Sequence, residues 1–233
     1  MSPIGDAVAA ITDKITIFSA GRGNRIAKAK GHGLYGGEVR AEFLPDGSRL
    51  VTVGRDDVML WDASTGKRLA KHEHERGEEF FQLAVAPDGE RIAVRSHYAL
   101  RVHAATDLRV MSSFEEKGTG GALAWTQAGL AGSHDDGIAL YDFGDRKKKR
   151  VILKHPNSGF IANPAGDTLL SVDHSRLDRF SLDGRKIETI IEKIERMTHE
   201  IVVSPDGGRI ALAVGPQIRV WDVRAGAFCL PPG

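Results

Sequence analysis

The chain has 233 residues and one cysteine, with 32 Lys and Arg against 31 Asp and Glu, so its formal charge is +1. This balance offers no general attraction to nucleic acid or to an anionic membrane, and the lone Cys229 excludes an intramolecular disulfide. No apolar run approaches the roughly 20 residues of a membrane span, and the N-terminus lacks a secretory signal, so we expect a cytoplasmic protein.

A tight turn recurs six times along the chain, at intervals of 37 to 42 residues, and an aromatic residue or His follows each turn by 14 to 16 residues. The turns begin at Pro3, Pro45, Pro87, Gln127, Pro164 and Pro205, and the ring positions are Phe18, Trp61, His103, Tyr141, Phe180 and Trp221. A period near 40 with strand patterns inside it is typical of propeller blades. We predict one all-β domain over residues 1–233, a β-propeller of about six four-stranded blades, with units near 1–36, 37–77, 78–117, 118–156, 157–196 and 197–233.

The first unit lacks the strand that precedes the turn in the other units. Ser2-Pro3 aligns with Ser204-Pro205, and residues 7–11 align with residues 209–213. An unpaired strand edge is costly if it is buried and prone to association if it is exposed. Either the natural sequence extends upstream, as in a truncated seven-bladed ring, or a six-bladed ring tolerates one blade without its inner strand.

The second unit shows the predicted strands most clearly. Apolar and charged residues alternate over 39–43, and Pro45-Asp46-Gly47 then turns the chain, with Gly47 supplying a positive φ. Further strands are predicted over 49–53, 58–62 and 68–72. Four short strands cannot bury their faces alone, so neighbouring units must stack on each other.

Two groups of residues suggest enzymatic or metal chemistry by their type. His72 and His74 share one face of a strand beside Glu73 and Glu75, but no third ligand is in view, so we interpret this segment as a solvated polar edge. The carboxylate pairs Asp56-Asp57 and Asp135-Asp136 are neighbours in tight turns, where such residues cap the turn. We predict neither a metal site nor a cofactor.

Two other segments need interpretation. The basic run at 146–150 has no interleaved aromatic residues, which a single-strand nucleic-acid platform would use, so it indicates a solvated loop entering an outer strand. We do not expect nucleic acid as a partner. Residues 186–197 have helix-like apolar spacing, but the repeat predicts a fourth strand and its following loop there.

Leu60-Trp61-Asp62, Leu140-Tyr141-Asp142 and Val220-Trp221-Asp222 resemble the strand endings of WD-repeat β-propellers. Gly31-His32 is similar to the pair that opens such repeats, and residues 132–138 are similar to the family's second hairpin. The family's hydrogen-bonded set of His, Ser or Thr, Asp and Trp is nowhere complete with its standard spacing. It comes closest at His32, Thr52, Asp57 and Trp61, where the turn is about two residues short.

The resemblance implies a non-catalytic scaffold or adaptor that binds a protein or peptide through loops at the propeller rim. Loops between units and second-hairpin turns build that face in the family, and the matching positions here are Tyr35, Arg55, Glu78, Tyr98, His134, Asn157, Arg176 and Gln217. Tyr and Arg carry interface energy most often, so the first four candidates are Tyr35, Tyr98, Arg55 and Arg176.

Two other functions stay open from the sequence. The incomplete first blade suggests the docking or sensor arm of a larger polypeptide whose effector domain lies upstream. A propeller enzyme of the lactonase or hydrolase type would need convergent acids or metal ligands on the channel-lining strands, which offer mainly apolar residues. Signatures of a serine nucleophile or of a phosphate-binding loop are absent, so we do not expect an enzyme.

Overall fold

A computed structural model describes residues 2–3, 5–12, 14–32, 39–74, 78–115, 121–134, 136–143, 149–154, 159–163, 165–173, 175–194, 197–204, 206–214 and 216–229. All regular secondary structure in these residues is β-strand. Contacts divide the chain into two compact units, residues 1–120 and 121–233, and each unit contains three antiparallel sheets. The protein is therefore an all-β propeller of six blades, as the repeat predicts.

The first unit contains blades 1 to 3, whose strands follow one another in sheet order. Blade 1 has β1 (Ala7–Ile11), β2 (Lys14–Ser19) and β3 (Arg25–Lys30). Blade 2 has β4 (Arg40–Phe43), β5 (Arg49–Val53), β6 (Asp57–Asp62) and β7 (Arg68–Glu73). Blade 3 has β8 (Phe80–Val85), β9 (Arg91–Ser96), β10 (Ala99–Ala104) and β11 (Val110–Glu115).

The second unit contains blades 4 to 6, which have the same strand order. Blade 4 has β12 (Leu123–Thr126), β13 (Gly129–His134), β14 (Gly137–Tyr141) and β15 (Lys149–Leu153). Blade 5 has β16 (Gly159–Ala162), β17 (Thr168–Asp173), β18 (Arg176–Ser181) and β19 (Lys186–Ile191). Blade 6 has β20 (Met197–Val203), β21 (Arg209–Val214), β22 (Gln217–Asp222) and β23 (Ala227–Phe228).

These bounds confirm the strand predictions. Each predicted strand of blade 2 agrees with the structure to within one residue, and the segment with helix-like spacing supplies β19. Blade 1 has three strands in the described residues, and the first of them, β1, lies where the alignment with residues 209–213 predicts it. The turn glycines have the expected positive φ, for example 69° at Gly47 and 71° at Gly89.

Apolar side chains form the core between consecutive blades. In the first unit, Ile17 of blade 1 packs in one cluster with Trp61 of blade 2, and Leu60 packs in another with Phe80 of blade 3. The second unit repeats this arrangement between blades 4 and 5 and between blades 5 and 6. Stacking of neighbouring repeats therefore buries what a single blade would leave exposed.

A β-bulge interrupts the ladder to the outer strand in blades 1 to 5. In four of these blades the extra residue is an exposed apolar side chain, namely Ile26, Leu69, Met111 and Ile187. A bulge twists an edge strand locally, which discourages other chains from pairing with it. The outer edges of these blades are therefore blunted.

Candidate functional site

Three of the eight predicted contact residues have no described side chain. Tyr35 and Asn157 lie outside the described residues, and His134 is described only as the last residue of β13. Their roles stay predictions. The other five have described positions, and three of them lie in the first unit: Arg55, Glu78 and Tyr98.

Arg55 lies in the turn between β5 and β6 of blade 2. Its Nη2 forms an ion pair with Oε1 of Glu79, which directly precedes β8 of blade 3, and about half of each side chain is exposed. Such an exposed pair contributes little to stability. It does hold a guanidinium group beside the entry to the inner strand of the next blade.

Tyr98 lies in the tight turn between β9 and β10 and exposes 58% of its surface. The Ser96 hydroxyl accepts hydrogen bonds from the backbone N–H groups of Tyr98 (3.1 Å) and Ala99 (2.9 Å), which restrains the turn. The ring of His97 lies 6.5 Å from Tyr98 and 4.6 Å from Phe81, measured between centroids. Three rings therefore form a row on this restrained turn and the adjacent strand.

Glu79 and Phe81 lie two residues apart at the entry to β8, so we group the ion pair and the ring row as one candidate surface, the rim patch: Arg55, Glu79, Phe81, His97 and Tyr98. Sequence reasoning found only Arg55 and Tyr98. The signal for Glu79 and Phe81 is the run Glu78-Glu79-Phe80-Phe81, which places acids and aromatic rings at the start of an inner strand. In an antiparallel blade, that point lies at the same end as the second-hairpin turn.

Glu78 directly precedes Glu79 of the rim patch and is paired within blade 3. Its carboxylate binds Arg101 through two hydrogen bonds, of 2.5 and 2.8 Å, and both side chains are mostly buried, with 17% and 14% exposure. The Arg101 guanidinium lies 5.5 Å from the centroid of the Phe80 ring. Bidentate Arg–carboxylate pairs fix geometry, so Glu78 anchors the entry to β8. Its predicted direct contact with a partner stays untested.

Three histidines meet between blades 2 and 3. The His103 ring lies 4.8 Å from His72 and 6.4 Å from His74, and His74 stacks on Phe80 at 3.8 Å. The solvated edge expected for this segment is wrong for His74, because both of its ring nitrogens are buried without a hydrogen-bond partner. Stacking of blade 3 covers this end of β7. In the described residues, no three His, Cys, Asp or Glu side chains are arranged to hold a metal ion.

A hydrogen-bonded chain joins the four residues His32, Thr52, Asp57 and Trp61, in spite of the short turn. The Trp61 indole donates to the Thr52 hydroxyl (2.9 Å), this oxygen lies 2.7 Å from Nε2 of His32, and Nδ1 of His32 bonds to Asp57. Burial acts to raise the pKa of Asp57, but its bonds to His32 and Lys71 outweigh this effect and hold the pKa below its ordinary value. The sequence suggested that Asp57 caps its turn, but its side chain instead binds His32 and Lys71.

This chain contains a hydroxyl, an imidazole and a carboxylate, the groups of a nucleophilic triad. A nucleophile must be reachable by its substrate. Thr52 has no exposed surface, and its oxygen already accepts the Trp61 indole N–H. The arrangement therefore acts as a structural tie between the entry to blade 2 and its middle strands.

We expect Thr52→Val to lower the free energy of unfolding by about 2 kcal/mol, because it leaves the Trp61 N–H and Nε2 of His32 without partners in a buried site. Thr52→Ser, which keeps the hydroxyl, is the matched control and should lose less than about 1 kcal/mol. Urea unfolding followed by tryptophan fluorescence measures both. Equal losses in the two variants would contradict a role for the hydroxyl.

In the second unit, Arg176 and Gln217 begin the third strands of blades 5 and 6. Arg176 is half exposed, and its Nε donates to the nearly buried Asp178 (2.8 Å), which also accepts bonds from Lys186 (2.9 Å) and Thr189 (2.7 Å). Gln217 is exposed at the start of β22. No hydrogen bond or ring contact joins these two residues in the part of the chain that the structure describes, so they do not form a second patch comparable to the first.

The basic run is described only at Lys149 and Arg150, which are exposed at the start of β15; residues 146–148 lie outside the described residues. These two residues border an open depression of about 610 Å³, together with Asp142 and Phe143. The Arg150 guanidinium donates to the backbone oxygen of Leu182 (3.4 Å). The depression is lined by residues of blade 4, and none of the predicted contact residues with a described side chain borders it.

Glu42, on β4, is an acid whose pKa lies far from its ordinary value. Protein around the carboxyl raises its pKa to about 7, although the residue as a whole is exposed to solvent, and a hydrogen bond from the Val85 N–H (3.0 Å) acts in the opposite direction. This bond links the inner strands of blades 2 and 3. No second described acid is paired with it as acid/base catalysis would require.

The described residues contain no helix with the length and apolar character needed to cross a membrane. Comparison of the chain with protein-family models finds no match, and comparison with curated proteins finds no significant relative.

Proposed function

We propose that this protein is a non-catalytic binding module that holds a protein or peptide partner through the rim patch. The observation that carries the proposal is the position of the Arg55–Glu79 ion pair at the entry to β8, two residues before Phe81, the first ring of the row that ends at the exposed Tyr98. β-Propellers often mediate protein interactions through surfaces of this kind. The WD-repeat resemblance favours the same face, since Arg55 and Tyr98 both match its second-hairpin turns.

The chemistry of the rim patch suits a polypeptide partner. Tyr and Arg are enriched among the residues that dominate binding energy, because they combine a large contact area with a polar group. The Tyr98 turn is held by the Ser96 hydroxyl, and Arg101 and Glu78 brace the strand below, so little conformational entropy is lost on binding. We place the module in the cytoplasm, because a single cysteine suits a reducing compartment. Tyr35, His134, Asn157, Arg176 and Gln217 remain predicted contacts.

The test starts from peptides selected against the immobilised protein from a random displayed library. We expect Arg55→Ala and Tyr98→Ala each to weaken binding of the selected peptides about tenfold or more, without lowering the melting temperature, because both side chains are exposed. Fluorescence anisotropy gives the affinities.

Arg109→Ala and Met111→Ala are the matched controls, because they remove an exposed cation and an exposed apolar side chain from the outer strand region of blade 3. Both should bind like the unmodified protein. If the selected peptides still bind Arg55→Ala and Tyr98→Ala with unchanged affinity, or if the two control variants weaken binding equally, the assignment of this face is wrong.

A further inference from the structure

Cations are concentrated on the outer strand of blade 1 and on the adjoining hairpin of blade 2. Residues 22–30, which contain β3, and residues 62–70, which contain the β6–β7 hairpin, together have six Lys or Arg and one acid, whereas the whole chain has 32 and 31. Like charges in such a group repel one another, so the group favours an anionic partner. The six cations are Arg22, Arg25, Lys28, Lys30, Lys67 and Arg68.

Contacts between blades 1 and 2 bring the two segments together. A Cβ added at Gly66, in the β6–β7 hairpin, would lie 2.7 Å from the backbone oxygen of Lys28 on β3. Ala27 of β3 packs in one cluster with Ala63, at the start of the same hairpin. Lys67 directly follows Gly66, so its backbone adjoins that of Lys28. Both blades belong to the same compact unit.

The six cations are not neutralised by acids of the protein. All six residues are exposed, and no ion pair joins any of them to a carboxylate in the part of the chain that the structure describes. Asp62, the single acid of the two segments, accepts hydrogen bonds from the hydroxyls of Ser64 (2.7 Å) and Thr65 (2.8 Å). Its carboxylate therefore caps its own hairpin.

The exposure of these cations is a property of the outer strands themselves. The ladders of blades 1 and 2 place Arg68 and Lys71 at the positions that Arg25 and Lys28 occupy in blade 1. Arg68 and Lys71 are both exposed, although blade 1 packs against blade 2. A preceding blade therefore leaves this part of an outer strand in contact with solvent.

Two of the cations are each followed directly by an exposed apolar side chain at a bulge. Ile26 follows Arg25 and is 43% exposed, and Leu69 follows Arg68 and is 47% exposed. Neighbouring outer strands thus each present a guanidinium group beside an aliphatic group. We group these residues as the basic patch: Arg25, Ile26, Lys28, Lys67, Arg68 and Leu69.

The extent of the basic patch distinguishes among anionic partners. A bilayer or a nucleic-acid duplex is wider than the patch and also meets the surrounding surface of a chain whose total charge is only +1. A single nucleic-acid strand would stack on aromatic side chains, which the patch lacks. A short polypeptide segment can contact the patch alone, and carboxylates next to aliphatic side chains match its two pairs.

We infer that the basic patch is a second binding site, which takes an acidic segment of a partner polypeptide whose carboxylates flank apolar side chains. The carboxylates pair with the four cations of the patch, and the apolar side chains cover Ile26 and Leu69. The β6–β7 hairpin lies at the opposite end of β6 from the turn that carries Arg55, so the basic patch is separate from the rim patch.

The test selects peptides from a random displayed library that bind the wild-type protein but not the double variant Arg25→Gln/Arg68→Gln. We expect the selected peptides to have Asp or Glu beside Leu, Ile or Phe. By fluorescence anisotropy, each single Arg→Gln variant should weaken their binding about fivefold or more, and Leu69→Ala about threefold. The melting temperature should not change, because these side chains are exposed. Raising the ionic strength from about 0.05 M to about 0.3 M should weaken binding about tenfold.

Blade 3 supplies the matched controls, because its bulge carries the exposed Met111 but its cation Arg109 is paired with Asp107 (3.7 Å). Arg109→Gln and Met111→Ala should bind the selected peptides like the wild type. Arg55→Ala, in the rim patch, should also leave this binding unchanged, so the two proposed sites can fail separately.

The proposal is overturned if the selection yields no peptides, if the selected peptides are not enriched in acids, or if the blade 3 controls weaken binding as much as Arg25→Gln and Arg68→Gln do. It is also overturned in favour of another anionic partner by a second result. That result is binding of vesicles with about 30% phosphatidylserine, or of a DNA duplex of about 20 base pairs, that is lost in the double variant.

Discussion

Gly184→Ala is expected to lower the free energy of unfolding by about 3–5 kcal/mol, a larger loss than we expect from Thr52→Val. Gly184 lies in the hairpin between β18 and β19 at a φ of +89°, a conformation that costs an L-residue about 1–2 kcal/mol. A Cβ at this position would lie 1.7 Å from the backbone oxygen of Ile152, on the outer strand of blade 4. Backbone cannot rotate away as a side chain can, so blades 4 and 5 must separate locally.

The chain offers a matched control in Gly226, which occupies the corresponding hairpin of blade 6. Its φ is +62°, but no atom lies within 4 Å of the Cβ that alanine would add. Gly226→Ala should therefore lose only the conformational cost, about 1–2 kcal/mol. Thermal unfolding compares the two variants, at about 2–4 °C per kcal/mol for a chain of this length. Equal losses would show that blade 5 does not approach blade 4 this closely.

Acid is expected to destabilise the first unit through its buried histidines. His103 has no exposed surface, its Nδ1–H donates to the Leu108 oxygen (2.8 Å), and its Nε2 has no partner in the described structure. Burial lowers the pKa of His103 to about 4, in spite of the opposing bond to Leu108, and burial, followed by the nearby His103, His72 and Arg101, lowers that of His74 to about 3. The unfolded chain has the ordinary value of 6.5 for both.

The sign follows from proton linkage. Between pH 6.5 and about 4, the unfolded state binds more protons at these histidines than the folded state does, so stability falls as the pH falls through this window. His103 alone can remove up to about 3 kcal/mol. Glu42 acts in the opposite direction, because its raised pKa lets the folded state take up a proton at higher pH than the unfolded state. The wild-type slope is therefore a difference between opposing contributions.

The measurement is the free energy of unfolding in urea at several values between pH 7 and pH 4, compared between wild type and His103→Phe. Phe occupies the corresponding position in blades 1 and 5, at Phe18 and Phe180. At pH 7 we expect the free energy of unfolding of His103→Phe to be about 1 kcal/mol below that of wild type, because the variant lacks the bond to Leu108. On acidification, its free energy of unfolding should fall by less than that of wild type. His97→Phe, at an exposed histidine, is the control. A wild-type pH slope in His103→Phe would contradict this role.

Periodicity located most of the strands because each blade repeats the same local sequence pattern. Alternation over β4, the Pro-Asp-Gly turn and the ring at Trp61 are properties of neighbouring residues, and the structure confirms them within one residue. The same argument assigned β19 to a strand although its apolar spacing fits a helix. It also placed β1 directly after the first turn, because Ser2 aligns with Ser204.

Contacts between blades could not be predicted in this way. The Arg55–Glu79 pair and the His74–His103 contact join residues of different blades. Nothing in the local sequence of either partner specifies the other. The segment at His72–His74, taken by itself, suggested a solvated edge, but the stacking of blade 3 buries His74 against Phe80.

The sequence by itself determined the all-β class, the blade count and the positions of the turns, because these depend on short-range periodicity and on the backbone preferences of Pro and Gly. Only the tertiary structure decided which residues of different blades meet, as in the rim patch and among the buried histidines. Stacking determines these features, since each depends on how far one blade covers the next. The extent of this coverage depends on contacts between side chains that are remote in sequence.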